Sequence, residues 1–148
     1  MIIALGVDHA AFAYKAIISR AIIEMGHEVL DLGTDSADAV DYPQYALAVA
    51  HAVRDERAAL GIFLCGTGIG GSIAANKIHG IRAALCHEEY TARMSREHNN
   101  ANVLCLGARV VGESLAIAII RTWLSTPWSA ATRHTRRLQL IAEAETQE

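Results

Sequence analysis

The sequence predicts an α/β fold, with a five-stranded parallel sheet lying between layers of helices. Three observations predict it. Short β-type runs alternate with helical patterns along the whole chain. The five strand candidates are continuous apolar runs, not alternating ones, and 52% of the 148 residues are hydrophobic. Continuous apolar runs mark strands covered on both faces, which is the condition of parallel strands under helices.

Each element has its own signal. IIALGV (2–7) reads as the first strand, and a helical pattern follows with Ile18, Ala21, Ile22 and Met25 on one face, closed by Gly26. EVLDLG is the second strand. Pro43 suits the first turn of a helix in which Ala46, Val49, Ala50 and Val53 repeat at i, i+3, i+4 and i+7. ALGIFLC is the third strand, followed by a glycine turn and a short helix opening with SIAANK. IRAALC is the fourth, followed by helical EEYTARMSREH. NVLCLG is the fifth, followed by ESLAIAIIRTWL. After a break at Ser125-Thr-Pro127, a last helix carries RHTRRLQLIAEAE, and a frayed tail is expected over 145–148. There is no repeat, low-complexity tract or linker, so residues 1–148 read as one domain.

Composition removes several classes of function. A formal charge of −3 gives no reason to expect a nucleic acid or membrane partner. The apolar runs are interrupted well short of the roughly 20 residues that span a bilayer. MIIALGVDH carries no basic segment ahead of its apolar residues and does not read as a signal peptide. Cys65, Cys86 and Cys105 are odd in number and lack C-x-x-C spacing, so a reduced, cytoplasmic chain is expected.

In parallel sheets, ligands bind beyond the carboxyl ends of the strands. That rule selects Asp8-His9, Cys65-Gly66-Thr67-Gly68, Cys86-His87-Glu88 and Gly107-Ala-Arg109. The loop after the third strand holds four glycines in six residues, Gly66 to Gly71, more than a tight turn needs. Such a loop lets N–H groups converge on an anion. Its G-x-G-x-x-G spacing also matches a dinucleotide fingerprint, with Glu88 and Glu89 as acidic residues about 20 positions on. Against that, it follows the third strand, and little chain remains for a substrate domain.

Cys65 stands at the loop entrance, where N–H groups favour a thiolate that serves as base or nucleophile. Cys86 and Cys105 read as small buried hydrophobes. His98, followed by Asn99, suits acid–base chemistry, although a histidine at a helix C-terminus also complements the dipole. His27, His51, His79 and His87 read as surface or structural. The histidines lack metal-ligand spacing, so no metal and no cofactor are expected. Arg133 and Arg137, four apart with Arg136 nearby, repel by roughly 0.2–0.5 kcal/mol, which points to an anionic ligand or to a solvated face.

Taken together, GVDHAAF, DLGT, VDYPQYA, CGTGIGGSIAANK, GIRAALC, SREHNNANVLCLGARVVG and RHTRR resemble the ribose-5-phosphate isomerase type B family. That family also holds allose-6-phosphate and galactose-6-phosphate isomerases. The segments occur in the family's order and cover nearly the whole chain. The resemblance implies a Rossmann-like three-layer α/β/α fold. It implies homodimers with shared active sites and the helix from about 129 onward at the dimer interface, sometimes paired into tetramers. It implies metal-free aldose–ketose isomerisation of a sugar phosphate through a cis-enediolate.

Residue by residue, the resemblance makes Cys65 the proton-abstracting base and His98 the group promoting ring opening. Asp8 and His9 handle the ring oxygen and hydroxyls. Gly66, Thr67, Gly68, Ile69 and Gly70 hold the enediolate oxygens, with Thr67 and Asp8 among the catalytic groups. Tyr42 and Asn99 contact substrate, and Arg109, Arg133 and Arg137 recognise phosphate. One branch of the family has serine for the loop cysteine and glutamate directly after G-x-G-x-G. Here Cys65 is present and that later position is Gly71, so the chain resembles the cysteine branch. The stretch LSTPWSAAT (124–132) looks less typical and bears on phosphate placement.

Ribose 5-phosphate is the expected substrate, with the six-carbon phosphates of allose and galactose as alternatives. Asp8-His9 and His98 favour a cyclic substrate over a four-carbon sugar. From other classes, a non-catalytic dinucleotide-binding module predicts indifference to Cys65→Ala. A cysteine hydrolase using Cys65 and His98 predicts a trappable acyl intermediate.

Overall fold

The computed structural model describes residues 1–146. Five strands, β1 (Ile2–Val7), β2 (Glu28–Asp31), β3 (Leu60–Cys65), β4 (Ala83–Leu85) and β5 (Val103–Gly107), form one sheet in the order β2-β1-β3-β5-β4. Every pairing is parallel. The helices are α1 (Lys15–Glu24), α2 (Tyr42–Arg54), α3 (Ile69–Ala75), α4 (Glu89–Asn99), α5 (Glu113–Ser125) and α6 (Thr132–Glu145). This is the three-layer arrangement expected from the alternating runs.

Strand alternation divides the core in two. Ile3, Leu5 and Val7 of β1 with Leu60, Ile62 and Leu64 of β3 pack under α1, α4 and α5. Ala4, Phe63, Cys65, Val103 and Cys105 face the other way, against α2 and α3. Only the three central strands are buried on both faces. β2 and β4 are edges, with β4 reduced to three residues and Leu85 36% exposed, so the apolar runs EVLDLG and IRAALC overstate their length and cover. An edge strand has one neighbour, and its ladder stops where that neighbour's pairing does.

The register decides what faces a ligand. Val7 pairs with Leu64, and Cys65 with Gly107, so β1, β3 and β5 finish at one level. β2 follows β1 to one side and β3 lies on the other, which makes the β1–β3 boundary a topological switch point. Ala108 N–H donates to the Cys65 carbonyl and Arg109 N–H to the Gly66 carbonyl, extending the ladder into the glycine loop.

The helices run back along the sheet, so α4 and α5 end at its amino edge. Trp123 of α5 is fully buried and donates through Nε1 to Ser95 Oγ of α4 at 3.1 Å. α5 stops at Ser125, as the Thr126-Pro127 break predicts. α6 begins at Thr132, later than the expected 129, and stays helical through Glu145, whose carboxylate accepts the Gly80 N–H. The expected frayed tail is thus ordered at its start, and residues 147–148 lie outside the described residues. Among the described residues, no helix is long and apolar enough to cross a membrane.

Candidate active site

A cleft of about 560 Å³ opens over the switch point, lined by residues that include Asp8, His9, Tyr42, Cys65, Thr67 and Arg109. Gly66, Ile69 and Gly70 complete the set of expected residues in it. Ala10 and Ile73 also line it and were missed from the sequence. Ile73 could have been found, since it stands at i+4 from Ile69 and both are more than half exposed on α3.

Backbone N–H groups hold the cleft's polar side chains in place. Asp8 is 4% exposed, and its Oδ1 accepts the N–H of Ala10 at 2.9 Å and of Ala11 at 3.2 Å. His9 Nδ1 accepts the Val40 N–H at 3.1 Å, which leaves Nε2 as the protonated nitrogen of the neutral ring. Cys65 Sγ accepts the Gly68 N–H at 3.2 Å. Thr67 Oγ1 accepts the Ile69 N–H at 3.3 Å. These bonds orient the thiol and hydroxyl towards the turn that joins β3 to α3.

The loop glycines serve different ends. Gly68 has φ +75°, and a Cβ there would come within 2.8 Å of the Leu106 carbonyl carbon. Both conformation and space demand glycine. A Cβ on Gly70 would sit 2.4 Å from the Tyr42 hydroxyl, so that position lets Tyr42 lie close over the loop. Gly71 is buried, and its Cβ would lie 2.4 Å from the Phe63 ring. It is a packing residue on the core side of α3, and it completes the G-x-G-x-x-G spacing without belonging to a ligand cradle. The acidic part of that fingerprint fails as well. Glu88 caps α4, accepting the N–H groups of Tyr90 and Thr91. Hydrogen bonds from Thr91 and Tyr90 hold its carboxyl below the usual carboxylate range.

Cys86 and Cys105 are 2% and 0% exposed, as expected. Burial pushes both thiols upward, away from the thiolate.

The remaining expected residues lie elsewhere in the same chain. His98 and Asn99 close α4, at the amino edge of the sheet, with Asn100 in the left-handed conformation as its C-cap. β5 separates that edge from the cleft, on the order of 15 Å of strand at about 3.3 Å per residue. Arg82 Nε donates to the carbonyls of Asn99 and Asn100 and ties this corner to β4. The His98 ring stacks on His134 of α6, with centroids 4.4 Å apart and planes 16° from parallel. Arg133 and Arg137, also on α6, are exposed and enter none of the ion pairs among the described residues. One chain therefore presents the expected site residues in two groups at opposite ends of its sheet. The reason is directional: helices between parallel strands run antiparallel to them, so residues at helix ends sit opposite residues at strand ends.

A family model described as Ribose/Galactose Isomerase matches residues 3–141. Ribose-5-phosphate isomerase B of Escherichia coli (strain K12) is 48% identical over 143 residues, covering 97% of this chain and 95% of that protein. D-erythrulose-4-phosphate isomerase of Pectobacterium atrosepticum is 47% identical over 123 residues, 82% of this chain and 81% of that protein. The crystal structure of ribose-5-phosphate isomerase B from Mycoplasma genitalium with bound ribulose-5-phosphate superimposes with a TM-score of 0.94 at 40% identity. The match covers 99% of this chain and 97% of that one.

Proposed function

Because the chain belongs to the ribose/galactose isomerase family, we propose that it interconverts ribose 5-phosphate and ribulose 5-phosphate with Cys65 as the base. The observation that carries this reading is the cleft itself. A thiol, a carboxylate and an imidazole, each held by a backbone donor, converge at the switch point with the guanidinium of Arg109.

The chemistry follows from that arrangement. In the open aldose, Cys65 Sγ takes the proton from C2. The C–H electron pair becomes the C1=C2 bond, and O1 takes the negative charge. Preorganised donors on such an oxyanion are often worth about 3–4 kcal/mol each, the role assigned to the loop from Gly66 to Gly70. The thiol then returns its proton to C1 on the C1=C2 electron pair, O2 passes its proton to O1, and the O2–H pair closes the C2=O carbonyl of the ketose. Oδ1 of Asp8 already takes two N–H groups, so Oδ2 is the oxygen left for a sugar hydroxyl. His9 Nε2–H serves a second hydroxyl, and Thr67 lies beside the reacting carbons. Tyr42 closes the cleft over Gly70. No step requires a metal or a second substrate.

Ring opening and phosphate binding fall to the other group. The proposed active unit is a homodimer in which each cleft receives His98, Asn99, Arg133 and Arg137 from the second copy, facing Arg109 of the first. Among the described residues Arg133 and Arg137 carry no carboxylate partners, which suits a pair awaiting a dianion.

The test uses purified protein with EDTA present, given ribose 5-phosphate, allose 6-phosphate, galactose 6-phosphate and D-erythrulose 4-phosphate in separate arms. Turnover fastest on ribose 5-phosphate is expected; absence of turnover on every arm would sink the isomerase reading. Sharing of sites is read by mixing. Cys65→Ala and His98→Ala should each be inactive alone, and unfolding and refolding them together should restore about a quarter of the wild-type activity through hybrid dimers with one intact site. No recovery would place the whole site within one chain.

A further inference from the structure

We infer that His134 is a positioning residue for His98: its buried ring, stacked face to face on the His98 imidazole, sets the plane in which His98 meets the sugar. The inference rests on the proposed role of His98 in ring opening.

The observation behind it is an inversion of the usual burial in α6. Leu140 and Ile141 of this helix are 55% and 49% exposed, while its one buried side chain is a histidine, 4% exposed. Apolar side chains normally take such a place, and a buried imidazole is chosen for something it does there. Two rings lie against it. His98 is parallel at 4.4 Å, and Trp128, from the connection between α5 and α6, is tilted by 56° at 6.3 Å. That connection is itself fixed to α4, since Ser129 N–H donates to the Glu97 carbonyl. The unusual segment 124–132 thus supplies Trp128 as one wall of the His134 pocket.

His98 has little else to hold it. Its side chain is 39% exposed, and its nearest charged neighbour, Glu97 Oε1, lies 3.9 Å from Nε2. The χ2 torsion of a histidine is broad by nature. A flat partner restricts it to one plane, and general acid–base transfer depends on such alignment. Arg133 and Arg137 face His134 from its own helix, and His98 and Glu97 from α4. Burial, with the positive charge of Arg133 added to it, pushes the His134 imidazole below its ordinary range. A neutral His134 lets His98 take up a proton without two like charges in the stack.

Two substitutions of similar bulk test the inference on the whole enzyme with ribose 5-phosphate. His134→Phe keeps a flat ring, and His134→Leu fills the space without one. The expected result is a kcat about 10- to 100-fold lower for His134→Leu, with KM within about twofold. His134→Phe should stay within about threefold of wild type. A wild-type kcat in His134→Leu, equal losses in both variants, or a change confined to KM would overturn it. His98→Ala separates the inference from the reading beneath it. If His98→Ala keeps wild-type turnover, both fall; if His98→Ala is slow and His134→Leu is not, only the positioning role falls.

Discussion

The two ends of the sheet hold their candidate site residues in different ways. At the carboxyl edge, Asp8, His9, Cys65 and Thr67 are each held by a backbone N–H from a neighbouring turn. At the amino edge, the His98 and His134 rings stack on each other, and Arg133 and Arg137 stand exposed without carboxylate partners among the described residues. The first group is built by strand register and loop geometry. The second is carried on helix ends and depends on side-chain packing. The proton abstraction proposed for Cys65 needs the rigid kind of site, because a base misplaced by about 1 Å can lose about a hundredfold in rate. The phosphate recognition proposed for Arg133 and Arg137 tolerates the looser kind, because a dianion draws guanidinium groups to itself.

This contrast can be broken at either end. The largest effect belongs to Cys65→Ala, which should lower kcat by about 10²–10⁴-fold while the thermal midpoint moves little, since alanine suits the small site against α2 and α3. Turnover and melting of the same sample decide it, and an active variant would remove Cys65 as the base.

Gly68→Ala comes next. It forces a side chain into a left-handed position against the Leu106 backbone, at a cost of about 1–3 kcal/mol. Unfolding by urea should show that loss together with reduced kcat, because the loop carries both. A variant as stable as wild type would show the loop to be looser than its geometry implies.

Ser95→Ala acts on the other end. It strands the buried Trp123 Nε1–H and should cost about 1–3 kcal/mol. The chemistry at the cleft is untouched, so any kcat change should come through His98 and stay smaller than that of Gly68→Ala.

The smallest effect is one of pH. His134 titrates below its ordinary value in the folded chain because of burial and the nearby positive charges. In the unfolded chain it binds a proton near pH 6.5, so the unfolded state holds more protons below that pH. The stability contributed is present above about pH 6.5 and is lost as pH falls below it. Urea midpoints measured on either side of pH 6.5 should show this loss in wild type and a smaller one in His134→Phe.

Much of the cleft was legible because its logic is local. A strand that ends in Cys65 and a loop rich in glycine announce a strand-end site, and the switch-point rule adds Asp8-His9. The dinucleotide spacing is a coincidence, as expected: Gly71 completes the pattern, but only the packing of α3 on Phe63 reveals what it is for. Glu88, the acidic part of that spacing, spends its carboxylate on the first turn of α4. His134 escaped notice because it lies between two arginines that explain the segment without it. Its burial arises from contact with α4, some 35 residues earlier in the chain.

By itself the sequence determined the α/β class, the order of the elements, the residues at the strand ends and the family to which the chain belongs. Those depend on periodicity, turn chemistry and motifs, which neighbouring residues carry. The tertiary structure decided the strand order, the reduction of β2 and β4 to short edges, and the packing role of Gly71. It also decided that Cys65 and His98 of one chain stand at opposite ends of the sheet. Each of these follows from which distant segments lie side by side, and hydrophobic patterning, which says only that a face is buried, does not specify its neighbour.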